Sequence, residues 1–158
     1  MVRGGRYAAG SYGMNAHLLR AAHYREFYEE TGTPGPYEDP DCAFWAQSQI
    51  VQSQLTPVLG DCLQASASPS AHDLPSRNLY TVDWTTNMNR GQMALFTIPR
   101  HGARPTPLPT YWPPTEPLPG AINVAFFDGH AELVKLDRLW QLYWHKDYQP
   151  PAKRPGLP

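Results

Sequence analysis

Residues 119–136 read PGAINVAFFDGHAELVKL, two short and mainly apolar runs joined by Asp128 and Gly129. Asp-Gly between two strand-like runs is the strongest short-range signal for a β-hairpin with a two-residue type I′ turn, because both turn residues need a positive φ. The stretch therefore predicts an antiparallel hairpin with Asp128 at its tip.

This turn would determine which residues of the two runs lie opposite each other, and opposed residues share a face of the hairpin. One face is expected to be apolar and to carry the pairs Phe126 with Ala131 and Val124 with Leu133. The other is expected to be mixed and to carry the pairs Phe127 with His130 and Ala125 with Glu132, beside Asn123. A polar site is therefore expected at the hairpin end.

The composition indicates one loop-rich globular domain. The chain has 158 residues, of which 41% are hydrophobic and 17% charged, with 18 Pro and 12 Gly. This length supports a single core, and the Pro content favours irregular chain. We expect a flexible N-terminus at 1–10, one domain at 11–148 with a Pro-rich loop at 104–119, and a flexible tail at 149–158.

The charge and hydropathy patterns argue against two classes of partner. A net charge of −1 offers no basic surface for nucleic acid or an anionic membrane. No apolar run reaches the roughly 18 residues of a transmembrane helix, and the first residues lack the apolar core of a signal peptide. We expect no nucleic-acid binding and no membrane segment in this chain.

The two cysteines, Cys42 and Cys62, are compatible with two states. They fit one disulfide in an oxidising compartment or two thiols in a reducing one. Their surroundings lack the Cys-x-x-Cys and Cys/His spacings typical of a zinc site.

Other elements are predicted from capping and periodicity. Asn15 and Gly32 bound an expected helix, and 44–55 fits either helix or strand. Strands are expected at 55–64, where Pro57 indicates a strand start or an edge, at 78–84 and at 92–98. A last helix is expected to begin at Asp137 as N-cap and to lay Leu139, Trp140 and Trp144 on the apolar face of the hairpin.

Several segments together resemble one protein family. The run 123–132, NVAFFDGHAE, follows Arg100-His101-Gly102 upstream, and the segments 11–15, 54–61 and 136–140 with 144–145 fit the same order. This combination resembles the C-terminal part of prepilin-type proteins with an H-X9-DG motif, a group of type II secretion pseudopilin-like proteins. The resemblance covers most of the globular part of the chain.

The resemblance implies a pilin-like fold of the α+β class. That fold has a long N-terminal hydrophobic helix, an antiparallel β-sheet, short flanking helices and long loops. The family also implies processing by a prepilin peptidase, display in the periplasm or at the cell surface, and other pilin-like subunits or secretion components as partners. These are expectations taken from the family.

Two features depart from the family pattern. The cleavage site and hydrophobic helix are absent from this sequence, so we expect either a shortened pilin-like protein or a reading frame that begins inside an ancestral one. In addition, 26 residues separate His101 from Asp128 where the motif has nine, and the Pro-rich insert accounts for the excess.

The candidate chemical groups each have a structural alternative. Asp128 suits the turn itself, and it could instead serve as a cation ligand or as a general base beside His130. His101 lies where a strand meets a loop, a common location for sites. Asp61 could form a carboxylate pair with Asp128 or Glu132, as glycoside hydrolysis and calcium binding require. Asp61 and Asp128 are therefore the candidate ligands for a divalent cation such as calcium.

Aromatic residues in the Pro-rich loop suggest a different use. Tyr111 and Trp112 are the only large side chains there, and exposed aromatics can stack on sugars or contact a partner. The motifs of the common hydrolases, zinc proteases and nucleotide-binding proteins do not occur.

Three hypotheses follow. The chain is a structural pilin-like subunit that acts by protein–protein contacts, a small hydrolase with acid/base groups at Asp61, His101, Asp128, His130 and Glu132, or a carbohydrate-binding module that uses Tyr111 and Trp112. A glycoside is the favoured substrate class for the hydrolase, ahead of an ester.

Overall fold

A computed structural model describes residues 12–18, 42–81 and 91–158 of the chain. These residues contain one sheet of five strands in the order β3-β1-β2-β4-β5. The strands are β1 (Tyr12–Asn15), β2 (Pro57–Asp61), β3 (Ser66–Ala67), β4 (Ala121–Phe126) and β5 (Ala131–Lys135). Short 3₁₀ helices lie at Ala16–Leu18, Gln47–Gln49, Ser53–Leu55, Gln92–Phe96 and Leu136–Gln141. The architecture is of the mixed α+β class.

The sheet is mixed, which corrects the expected antiparallel sheet. β2 pairs antiparallel with β1 and β4, and β4 pairs antiparallel with β5. β3, however, runs parallel to β1, with Met14 opposite Ser66. β2 therefore lies inside the sheet, so Pro57 marks the start of a strand and not an edge.

The predicted strand at 92–98 is wrong, because Gln92–Phe96 forms a 3₁₀ helix. Met93, Ala94, Leu95 and Phe96 are all buried. The turn is held at its start by Asp73, whose Oδ2 accepts a hydrogen bond of 2.8 Å from the backbone N–H of Met93. An apolar run with no polar alternation is compatible with strand or helix, and this tertiary contact selects the helical turn.

Two other predictions lie partly outside the described residues. Of the helix expected from Asn15 to Gly32, only 15–18 is described, and Asn15 is the last residue of β1. Its Oδ1 accepts a hydrogen bond from the N–H of His17, as an N-cap would. The strand expected at 78–84 is not formed over 78–81, and 82–84 lie outside the described residues. The segment 44–55 contains two 3₁₀ turns.

The last predicted helix is a 3₁₀ helix at Leu136–Gln141. Leu139 and Trp140 are buried in it as expected, and Leu136 is buried as well. Asp137 is not its N-cap, since that position belongs to Lys135. The Asp137 carboxylate instead accepts hydrogen bonds from the backbone N–H of Leu118 and from Arg154 Nε. It therefore ties this helix to the Pro-rich loop and to the C-terminal segment.

Arg154, in the segment expected to be a flexible tail, is 2% exposed. Besides Asp137, its guanidinium donates to the carbonyl oxygens of Pro114, Glu116 and Pro155. The guanidinium carbon also lies 6.0 Å from the Trp140 ring centroid. Arginine suits this position because its planar group can donate several hydrogen bonds at once.

The core lies on one side of the sheet. Ile122, Val124, Phe126 and Val134 are at most 3% exposed, and Trp140 and Trp144 pack in the same cluster. The indole N–H groups of these two residues are paired: Trp140 Nε1 donates to Asp73 O and Trp144 Nε1 to Leu139 O. The opposite side of the sheet, named here the outer face, carries the candidate site.

Candidate functional site

The hairpin is present, but its register differs by one residue from the prediction. Ala125 lies opposite Ala131, Val124 opposite Glu132 and Asn123 opposite Leu133. The backbone N–H of Phe126 donates to His130 O, and that of Gly129 donates to Phe126 O. The loop therefore has three residues, Phe127 to Gly129.

The three-residue loop explains the shift. Gly129 has a φ of +95°, and no described residue other than glycine has a positive φ. A type I′ turn would need a positive φ at Asp128 as well, whereas a type I turn followed by one left-handed glycine needs it only at Gly129. The predicted type I′ turn is therefore wrong. Because its loop is one residue shorter than the observed one, the predicted register is shifted by one residue, which exchanges the faces of one strand relative to the other.

The new register determines which residues form the outer face. Two cross-strand rows result from the pairing of the strands. One row is Met14, Leu59, Ala125 and Ala131; the other is Tyr12, Asp61, Asn123 and Leu133. Glu132 lies on the other face, opposite Val124. Its Oε1 is 3.1 Å from Arg138 NH1, so Glu132 pairs with a residue that the sequence had not singled out.

Asp61 and Asn123 of the second row form a polar cluster with His101. The side chain of Asp61 is 6% exposed, and its Oδ2 is 3.1 Å from His101 Nε2. The same oxygen accepts a 2.7 Å hydrogen bond from the backbone N–H of Asn123. His101 reaches this position because it forms a β-bridge with Ala121 at the start of β4. Two of the candidate residues are thus brought together.

The tautomer of His101, meaning which ring nitrogen carries the hydrogen, determines the contacts in this cluster. Asn123 Nδ2 is also 2.9 Å from His101 Nε2. An Nε2 atom that donates to the Asp61 carboxylate cannot also accept a hydrogen bond from the Asn123 amide. The two contacts are therefore alternatives, and the carboxylate favours the form with hydrogen on Nε2. In the neutral ring that form leaves Nδ1 as the basic nitrogen of a side chain that is 43% exposed.

Asp128 and His130 form a second, separate pair at the hairpin tip. His130 Nδ1 is 2.6 Å from Asp128 Oδ1, which also accepts from the backbone N–H of His130. The side-chain hydrogen bond from His130 is the main reason that the pKa of Asp128 lies below its ordinary value of 3.8. The His130 ring stacks on Phe126, with centroids 4.4 Å apart.

The two pairs do not make one site. Asn123 lies within β4 and Asp128 in the loop that follows it, and the three residue steps from Asn123 to the end of β4 at Phe126 alone span roughly 10 Å of extended chain. Asp61 is therefore not paired with Asp128, and Glu132 is on the opposite face. In the three described ranges, no group of three or more His, Cys, Asp or Glu could hold a metal ion.

The two aromatic residues of the Pro-rich loop differ in environment. Tyr111 is 59% exposed, whereas Trp112 is partly buried and packs on the core. The segment forms backbone hydrogen bonds from Leu79 N to Pro109 O and from Trp112 N to Arg77 O. These bonds join the Pro-rich loop to the segment that carries Tyr80, another exposed aromatic residue and one that the sequence had not indicated as a site residue.

Cys42 and Cys62 do not form a disulfide. Cys62 is buried, and this burial raises the pKa of its thiol to about 11. A thiol with a raised pKa is a weak nucleophile at neutral pH, because little thiolate is present.

Comparison with known proteins identifies no relative: no family model, curated protein or solved structure matches the chain. Among the described residues, none of the helices has the length and apolar character needed to cross a bilayer.

Proposed function

We propose that this chain is a pilin-like structural subunit of a secretion or surface-filament system and acts by protein–protein contacts. The proposal rests on the family resemblance of the sequence together with the outer face of the sheet. Display in the periplasm or at the cell surface, and assembly with other pilin-like subunits, belong to the same proposal.

The exposed apolar side chains of the outer face carry the proposal. Tyr12, Met14, Leu59 and Leu133 are 57%, 38%, 40% and 53% exposed. They come from three strands, β1, β2 and β5, which the sheet places on one face together with β4, so they form one surface and not scattered positions. Contiguous apolar patches on a protein surface commonly mark sites of protein association.

The polar cluster within this face suits an interface. Asp61 is already paired with His101 and with the backbone N–H of Asn123. A partner that covers it would therefore leave no unpaired buried carboxylate, which is the costly outcome. The outer face can be desolvated at a lower free-energy cost than an unpaired acidic surface.

The experiment is incorporation into filaments. The chain would be joined to the leader and hydrophobic helix of a host pseudopilin and expressed in a bacterium with a working type II secretion system. We expect the wild-type chain in sheared surface filaments and about tenfold less of Leu59→Lys, because a charge in the centre of an interface costs more than 1 kcal/mol.

The matched control is Val51→Lys, which places the same charge on a residue that is 79% exposed and outside the sheet. It should enter filaments like the wild type. The proposal is contradicted if wild-type chain with the helix remains unassembled, or if Leu59→Lys assembles as well as Val51→Lys.

A small hydrolase is a second candidate because Asp61 and His101 meet. A carboxylate that orients a histidine and leaves its other nitrogen basic is the arrangement of a general base. The test is a panel of chromogenic glycosides and esters, with and without EDTA. Turnover lost in His101→Gln and retained in His130→Ala would support this candidate, and no wild-type turnover would remove it.

A further inference from the structure

In the described part of the chain, the β5 strand has one unpaired edge. It is the last strand of the described sheet, and its strand partner there is β4 alone. The N–H of Phe126 donates to His130 O and that of Leu136 to Gly120 O, so the even-numbered residues of β5 direct their backbone groups towards β4. Ala131, Leu133 and Lys135 therefore direct theirs outward. Within the described parts of the chain, these outward groups have no backbone hydrogen-bond partner.

This edge lacks most of the usual protection. Natural edge strands are shielded by proline, bulges, charges or a covering segment. β5 has no proline, its pairing with β4 is regular, and Ala131, Leu133 and Lys135 are exposed. Its one outward charge is Lys135, at the end of the strand. The middle of the edge presents Leu133, which is 53% exposed.

We propose that β5 pairs antiparallel with β5 of a second copy of this chain, about a two-fold axis at Leu133. In this register Leu133 lies opposite its equivalent, and Ala131 lies opposite Lys135. Each outward residue then belongs to a hydrogen-bonded pair with the second copy. The three pairs together give about six backbone hydrogen bonds. The inference rests on the proposed function, because it names a second copy as one partner of the subunit.

The charges of the strand fit a second copy. Lys135 lies opposite the uncharged Ala131, and Glu132 lies opposite Val134, so no like charges are directly opposed. Glu132 is in addition paired with Arg138 of its own chain. The two Leu133 side chains meet on the outer face, so the apolar surface continues from one copy to the next. A two-fold axis is the commonest symmetry of soluble homo-oligomers.

A cysteine placed on the axis tests the register. Leu133→Cys, in a Cys42→Ser background, puts two sulfur atoms at a pair whose Cα atoms are about 5.5 Å apart, within the range of a disulfide. We expect mild oxidation to give a covalent dimer at least about tenfold faster than for Ala131→Cys, whose two copies are roughly 13 Å apart. The double variant Ala131→Cys/Lys135→Cys should cross-link again.

Sedimentation of the reduced wild-type chain over a range of concentrations is the second measurement. A concentration-dependent dimer is expected, and a chain that stays monomeric overturns the inference. Equal cross-linking of Leu133→Cys and Ala131→Cys also overturns it. Circular dichroism of each variant establishes that the sheet is retained.

Failure of this inference is distinguishable from failure of the proposed function. Leu59 is on the outer face but is two strands away from the β5 edge. If Leu133→Cys cross-links and Leu59→Lys enters filaments like the wild type, the edge pairing holds and outer-face docking fails. If filaments form and Leu133→Cys does not cross-link selectively, the subunit function holds and the edge pairing fails.

Discussion

The two Asp–His pairs of this protein have the same chemistry and different surroundings. Asp61 and His101 come from distant parts of the chain, and the Asp61 side chain is 6% exposed. Asp128 and His130 are two residues apart in a turn, with side chains 36% and 42% exposed. The shorter contact is the exposed one, 2.6 Å against 3.1 Å.

Burial and the sequence separation of the two residues, and not the contact distance, determine how much an Asp–His pair contributes to the free energy of unfolding. An exposed pair between neighbours is formed in competition with water and adds little to stability. A buried carboxylate that loses its partners retains the cost of its desolvation. Asp61 also joins β2 to β4 and to His101, so its contacts depend on the tertiary fold.

The largest expected effect is that of Asp61→Ala. It removes the acceptor of the 2.7 Å hydrogen bond from Asn123 N and the partner of His101. We expect the free energy of unfolding, measured by urea denaturation, to fall by about 2 kcal/mol. A loss no greater than that of Asp128→Ala would contradict the proposed difference between the two pairs.

Asp61→Asn separates the two roles of this carboxylate. The amide oxygen can still accept from Asn123 N, but it carries no charge towards His101. We expect a loss smaller than that of Asp61→Ala, and the difference between the two variants measures the contribution of the backbone hydrogen bond.

A smaller effect is expected for Gly129→Ala, which tests the turn that carries the exposed pair. Gly129 has a φ of +95°, and a Cβ atom there would contact nothing within 4 Å. The cost therefore comes from the left-handed backbone alone and should be about 1 kcal/mol in the same urea measurement. Gly129→Asn should cost less, since Asn enters this region more readily. Equal stability of wild type and Gly129→Ala would refute the type I turn with a left-handed glycine.

The smallest effect is the pH dependence of the exposed pair. The pKa of Asp128 is lower in the folded chain than its ordinary value of 3.8, mainly through the His130 hydrogen bond. The unfolded chain therefore binds the proton more readily, so this contribution to stability is present above the ordinary value and is lost as the pH falls through the folded pKa. The difference in free energy of unfolding between wild type and Asp128→Asn should therefore narrow as the pH falls from 3.8 through the folded pKa of Asp128.

The control for this titration is His130→Phe, which keeps a ring against Phe126 and removes Nδ1. Carboxyl NMR should show the pKa of Asp128 moving up towards 3.8 in this variant. An unchanged pKa would mean that another group causes the shift.

Local signals in the sequence were sufficient for part of the fold. Asp128-Gly129 predicted the hairpin, because Gly readily adopts the positive φ of its turn. Pro57, which has a fixed φ and no N–H donor, predicted either a strand start or an edge, and the structure has the start. The same signals did not select the turn type. A two-residue and a three-residue loop both use this dipeptide, and the sheet partners decide between them.

The candidate site was predictable residue by residue but not as an arrangement. The sequence indicated the individual His and Asp residues near strand ends, but it grouped Asn123 with His130 and not with His101, its partner in the structure. Arg154 was missed because nothing in its Pro-rich neighbourhood indicates that the segment folds back over Trp140. Its contacts are made with residues up to 40 positions away.

The sequence by itself determined the hairpin, the apolar residues available for a core and the acidic and histidine side chains available for a site, because these follow from local conformational preference and side-chain chemistry. Only the tertiary structure decided the hairpin register, the pairing of Asp61 with His101 and the free edge of β5. Those features depend on which strands become neighbours, and strand pairing is a long-range property that no single segment encodes.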